Sequence, residues 1–238
     1  MESQQPTDAQ EGQTQRPSPM TAVERRILGV LMEKARTTPD SYPLTLNALV
    51  TGCNQKTARE PVMQLSEDQV DEALVELRQR GIVAEVHGAG RVPKYRHMGY
   101  DYFGVKGEEA AVITELLLRG PQTLGDLRAR ASRLCHSPIP DLNALQAILG
   151  KLKEKELVVE LTPPGRGQLI THNLYPEEEL AVVRVHAVSG ATVGESSGPR
   201  SGRSEVIETL QHELAELRQE VDQLRQRIET LEQSQKQS

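Results

Sequence analysis

The sequence predicts a mainly helical α+β chain: two tandem winged-helix domains, the helix-turn-helix variant, followed by a C-terminal coiled-coil helix. Three observations predict it. Helical apolar spacing twice gives way to a β-hairpin pattern. The order then repeats: EALVELRQRGIVAEV aligns with QAILGKLKEKELVVEL, matching Leu77 to Leu152, Ile82 to Leu157 and Val86 to Leu161. A period of roughly 75–85 residues is too long for a solenoid unit and fits domain duplication; a single mixed α+β domain is the alternative. Last, a regular heptad pattern occupies the C-terminal segment.

The elements follow in order. Residues 1–20 are rich in Gln, Pro, Ser and Thr and are expected to be disordered. The first domain is expected over 21–100. Thr21-Ala-Val-Glu24 is a capping box, and Val23, Ile27, Val30, Leu31 and Ala35 continue it at helical spacing until Thr38-Pro39. Leu46, Leu49, Val50 and Cys53 form a second short apolar face. Residues 54–65 read as a loop. Ser66-Glu-Asp-Gln69 is a second capping box and opens a third helix that stops at Gly81. Residues 82–86 and 92–98 then read as strands around a Gly88-Ala-Gly90 turn.

The second domain is expected over 101–185. Val112, Ile113, Leu116 and Leu117 mark its first helix. Thr123 caps a second, through Leu134. Leu142, Leu145, Ile148, Leu149 and Leu152 mark its third. A hairpin follows, with strands at 157–161 and 168–174. The Gly/Ser-rich segment 186–204 is expected to be a flexible linker. In the coil, 205–234, Ile207, Leu214, Val221 and Ile228 take a positions, and Leu210, Leu217, Leu224 and Leu231 take d positions. Mostly β-branched a residues with Leu at every d favour a parallel homodimer, while the absence of Asn or Lys at any a position leaves a trimer as an alternative. The cross-chain pairs Glu213–Arg218, Glu220–Arg225 and Arg227–Glu232 are attractive in that arrangement. A single amphipathic helix folding back on the domains is the alternative.

Composition narrows the function classes. The single Phe and the absence of Trp leave the core to aliphatic residues. Residues 21–100 carry eleven Lys and Arg against ten Asp and Glu, and residues 101–185 carry ten against twelve. Neither domain has the strong positive excess of a nonspecific DNA binder. Cys53 and Cys135 form no CxxC pair, so no disulfide framework or zinc site is expected. Residues 1–19 lack the basic and apolar regions of a secretion signal, and no apolar run is long enough to span a bilayer. The expected location is the cytoplasm, with no membrane partner.

Residues 37–63, TTPDSYPLTLNALVTGCNQKTAREPVM, resemble the signature of the YceH-like family of bacterial proteins. The resemblance continues through LSEDQVDEALVELRQRGIV and EEAAVITELLLRGPQTLGDLRARASRL, so it covers roughly residues 21–174. It implies tandem winged helices, but no reaction, ligand or catalytic residue.

No catalytic, metal or cofactor site is expected. The six histidines form no HxxxH or HxxE pair, and Gly88-Ala-Gly90 precedes a strand rather than a phosphate-binding helix. Double-stranded DNA is the expected partner, with an unidentified protein partner as the alternative. A conventional insertion of the first domain's third helix is disfavoured by Glu67, Asp68, Asp71, Glu72 and Glu76, which phosphates would repel. The candidate DNA contacts are instead Lys94 and Arg96 on the first wing, Arg128, Arg130 and Arg133 on the fifth helix, Lys151 and Lys155 on the sixth, and Arg166 at the second wing tip. The polar stretch holding Asn47, Asn54, Gln55, Lys56 and Arg59 reads either as a docking loop or as a loop held by side-chain-to-backbone bonds.

Overall fold

The computed structural model describes residues 17–87 and 92–191. They fall in one of two compact units of the chain, Met1–Val193. The heptad positions 207–231 lie outside the described residues, as do residues 1–16 and 88–91.

The architecture is α+β and mainly helical, with two small antiparallel three-stranded sheets. Helix α1 (Ala22–Thr37) starts where expected: Thr21 Oγ1 accepts from Glu24 N at 3.2 Å, and the Glu24 carboxylate accepts from Thr21 N at 2.6 Å. Strand β1 (Leu44–Thr45) leads into α2 (Leu46–Cys53), capped by Thr45. Helix α3 (Glu67–Gln79) carries the Ser66/Gln69 capping box. Gly81, at φ +68°, turns the chain into β2 (Val83–Val86) and β3 (Lys94–His97). Sheet order is β1-β3-β2, with Leu44 and Glu85 both opposite Tyr95. Tyr95 points into the core while Lys94 and Arg96 are exposed, as strand alternation requires.

The short α4 (Gly99–Phe103) leads to α5 (Gly107–Arg119), and the pattern recurs. Strand β4 (Gln122–Thr123), α6 (Leu124–Ala131), α7 (Leu142–Glu154), β5 (Val158–Glu160) and β6 (Leu169–His172) form a sheet of order β4-β6-β5. We call the two halves the first and second modules. Helix α8 (Glu177–Ala191) closes the described chain.

Four features escape the sequence patterns. Strands β1 and β4 have two residues each, too few for any periodicity. Helix α4 has five residues. The helix expected through Leu134 ends at Ala131 and tightens into a 3-10 turn, Ser132–Leu134. Helix α8 runs six residues into the segment read as a linker, because Val182, Val183, Val185, Ala187 and Val188 continue its apolar content.

The modules share one apolar core. Ile27, Leu31, Leu49, Leu74 and Leu77 of the first belong to the same cluster as Ile113, Leu116, Leu145, Leu149 and Leu152 of the second. Helix α1 packs on α5 at Gly29. A Cβ there would lie 2.9 Å from Leu118 Cδ2 and 3.2 Å from Leu117 Cβ. Glycine inside a helix costs about 1 kcal/mol relative to Ala; here it permits the close approach. Met20 N donates to Leu174 O at 2.8 Å and Glu60 N to Leu118 O at 3.0 Å, stitching the modules by backbone.

Candidate nucleic-acid interface

Helices α6 and α7, joined by a turn, present the second module's outer surface. Leu145, Leu149 and Leu152 bury one side of α7. The opposite side exposes Asn143, Gln146, Ala147, Gly150 and Lys151, which recur at helical spacing on one face. No carboxylate interrupts it between Asp141 and Glu154. Asp141 itself caps the helix, its Oδ1 accepting from Ala144 N at 2.8 Å.

Arg128 braces the turn into α7. One of its amino groups donates to Ile139 O at 3.1 Å and Pro140 O at 3.0 Å. Ser132 Oγ accepts from Ile139 N at 3.0 Å in the same turn. Arg130 donates to Gln122 Oε1 at 2.8 Å and lies 3.8 Å from Asp126. Lys155 pairs with Glu109 and donates to Gly104 O at 2.6 Å. These three cations are therefore engaged within the fold. Lys94, Arg96, Arg133, Lys151 and Arg166 are exposed and have no ion-pair partner among the described residues. The exposed amides Asn143 and Gln146 were missed by a reading that weighed only charge. Their spacing on the exposed side of an amphipathic helix was the available signal.

The first module's counterpart differs. On α3, Val70, Leu74 and Leu77 are buried, and Asp68, Asp71, Glu72, Val75 and Glu76 are exposed.

The polar loop is held together from within. Asn54 Nδ2 donates to Leu65 O at 2.8 Å, and Asn54 Oδ1 accepts from Leu65 N at 2.7 Å, closing the loop. Arg59 is 4% exposed. Its Nε donates to Gly52 O at 3.1 Å, and its amino groups donate to both Glu33 oxygens, at 3.1 and 2.6 Å, and to Gln55 Oε1 at 2.9 Å. Burial raises the Glu33 carboxyl pKa, but the bonded Arg59 outweighs it and holds the group below its ordinary value. Ala58, at φ +60°, sets the backbone bend. Asn47 and Lys56 are exposed.

Other buried and part-buried polar groups were missed as well. Arg26 donates to Cys53 O at 3.1 Å and Pro61 O at 2.7 Å. Its place four residues before Val30 puts it on the apolar stripe of α1, which was the available signal. Arg36 links the modules, donating to Tyr100 Oη at 3.0 Å and to Leu134 O. His97 and His172 occupy the same register in the two sheets, opposite Val83 and Val158. Burial pushes His97 down to about 4, and its ring meets Tyr100 edge-on at 4.4 Å. His172 stacks on Tyr175 at 4.0 Å; burial, reinforced by Arg25, lowers its pKa as well.

Cys135 is half-buried, its thiol pushed up by burial, while His136 is exposed. Among the described residues no group of three His, Cys, Asp or Glu is placed to hold a metal ion, and no helix is long and apolar enough to cross a membrane.

The fold and this surface define a mainly helical protein of two small-sheet modules, consistent with two winged-helix-like units. A family model described as "Protein of unknown function, DUF480" matches residues 20–166. A UPF0502 protein of Rhodopirellula baltica is 48% identical over 213 residues, covering 86% of this chain and 89% of the relative. A UPF0502 protein of an Acidovorax species is 40% identical over 211 residues, covering 85% and 91%. One from Geobacter sulfurreducens is 46% identical over 163 residues, covering 67% and 74%. The chain belongs to this DUF480/UPF0502 family of bacterial proteins, the YceH-like family.

Proposed function

We propose that the protein is a non-enzymatic, double-stranded-DNA-associated regulator, built on two winged-helix domains and acting in the cytoplasm as a coiled-coil homodimer. The second module reads the major groove with α7. One observation carries this reading: the exposed face of α7 offers Asn143 and Gln146, then Ala147, Gly150 and Lys151, without a carboxylate among them. Asn and Gln amides suit the adenine edge, and small residues let a helix approach the bases. In a helix-turn-helix the N-terminal part of the second helix makes such contacts. Lys151, Arg133 and Arg166 supply phosphate contacts around it. Pairing through Ile207, Leu210 and the following heptad positions supports binding to two half-sites.

The test is binding of the full-length protein to labelled genomic fragments at low and physiological salt. Fragment-selective binding at physiological salt, weakened at least tenfold by the double change Asn143→Ala and Gln146→Ala, supports the reading. Absence of binding at low salt ends it. Light scattering after removal of residues 204–238 tests the dimer: a truncated chain that stays dimeric would place the interface elsewhere.

The second reading is a protein-interaction adaptor. The acidic exposed face of α3 favours it, since Asp68, Asp71, Glu72 and Glu76 suit a basic protein surface better than DNA.

A further inference from the structure

Where α1, the 60–63 loop, the end of α5 and the start of α8 meet, they leave a cleft of about 220 Å³. Ala22, Met63, Leu117 and Val183 give it apolar walls. Arg25, Arg26, Arg119, His172 and Tyr175 bring polar groups to it.

The charges around it are unequally matched. Arg25 is paired with Glu179 and Arg119 with Glu115. Arg59, which also donates to the end of α2, holds Glu33. Arg26 has no ion-pair partner among the described residues. It is 1% exposed, it donates only to the carbonyls of Cys53 and Pro61, and its buried Nε–H has no acceptor. Glu60 also lines the cleft, but its side chain is exposed and makes no ion pair with Arg26. The carbonyl at the C-terminal end of α2 offsets part of the buried charge. A buried guanidinium remains costly when the exposed Glu60 carboxylate acts on it only from a distance and the neighbouring Arg59 charge opposes it.

We infer that this cleft binds a small organic carboxylate, whose head group supplies the missing counter-charge to Arg26 and whose apolar body lies among Met63, Leu117 and Val183. The cleft is smaller than the roughly 300–1,000 Å³ of pockets for drug-sized ligands, so the ligand is small. A neutral His172 imposes no second charge. Residues of both modules line the cleft, so an occupant stabilises their junction. The inference goes beyond the DNA reading and does not depend on it.

The test uses the full-length protein, with benzoate as probe and benzamide as its neutral isostere, against sodium chloride at equal ionic strength. Benzoate is expected to raise Tm by about 5 °C at a hundredfold excess over its Kd. Benzamide and chloride are expected to leave Tm unmoved. Ala22→Met, at the first residue of α1, narrows the cleft without touching Arg26 and is expected to abolish the benzoate shift while the unliganded Tm holds. Val183→Phe narrows it from the α8 side and serves if Ala22→Met does not fold. Equal shifts from benzoate and benzamide, no shift beyond chloride, or a full benzoate shift in a folded cleft variant would overturn the inference.

Discussion

Helices α3 and α7 hold matching places in the two modules, yet they present opposite chemistry. Matching Leu77 to Leu152 pairs Asp68 with Asn143, Asp71 with Gln146, Glu72 with Ala147, Val75 with Gly150 and Glu76 with Lys151. The buried faces agree: Val70, Leu74 and Leu77 against Leu145, Leu149 and Leu152. The core pattern is therefore preserved across the repeat while the solvent face is rewritten. Packing constrains a buried side chain to within a methylene, whereas an exposed one answers only to its partner. The difference teaches that the repeat carries one scaffold and two surfaces.

The turns before these helices also differ. In the first module Arg59 is buried and closes an ion cage with Glu33. In the second, Arg128 is only part-buried and meets carbonyls alone. Arg59→Met leaves the part-buried Glu33 with only the more exposed Lys34 as an ion-pair partner and is expected to cost about 3 kcal/mol in urea unfolding. Arg128→Met, whose freed carbonyls lie near water, is expected to cost roughly 1 kcal/mol. Equal costs would break the distinction between a caged turn and a braced one.

Acid sharpens a second part of the comparison, the histidines at matching register. The folded His97 has a pKa of about 4, below the unfolded reference near 6.5. Between these values the unfolded chain binds more protons, so stability is complete above pH 6.5 and falls as pH drops toward 4. The loss is on the order of 3 kcal/mol at most for this group. His97→Gln is expected to flatten part of the fall of Tm between pH 7 and 4.5. His172, also lowered, should account for a further part, so His172→Gln alone leaving the acid profile unchanged would count against its burial as a neutral ring.

The junction comes next in size. Gly29→Val places branched carbon against Leu118 and Leu117, and overpacking of this kind costs about 1–3 kcal/mol. The two modules are expected to lose stability together, in a single unfolding transition, because they share one core. Two separated transitions would show that each module folds by itself.

The smallest effect concerns α3. Asp71→Asn with Glu72→Gln removes two carboxylates from an exposed face and is expected to change stability by less than about 0.5 kcal/mol. Under the DNA reading it leaves fragment affinity unchanged or slightly higher, read by fluorescence anisotropy. A loss of affinity would give α3 a direct part in binding and erase the contrast with α7.

Much of the fold was legible beforehand because its signals are local. Thr21, Ser66 and Thr123, read as caps in the sequence, each cap a helix within three residues of themselves, and Thr45 and Asp141, not read so, do the same. The hairpins follow from strand-forming runs around turns. The candidate surface was legible only in part. Exposed Lys and Arg stand out in a composition, but their engagement does not: Arg128, Arg130 and Lys155 bind partners 8 to 51 residues away. Asn143 and Gln146 carry no charge, so only their spacing on the polar side of an amphipathic helix could have singled them out.

The sequence by itself determined the order of the longer helices and hairpin strands, the repeat and its apolar faces, since each depends on residues a few positions apart. Tertiary structure alone decided which charges are buried. Arg26 meets Cys53 and Pro61, Arg59 meets Glu33, and Arg25 meets Glu179 across 154 residues of chain. It also decided that α1 lies against α5 at Gly29 and that a cleft remains beside Arg26. The physical reason is that desolvation and charge pairing are set by neighbours in space, and no local pattern states who those neighbours are.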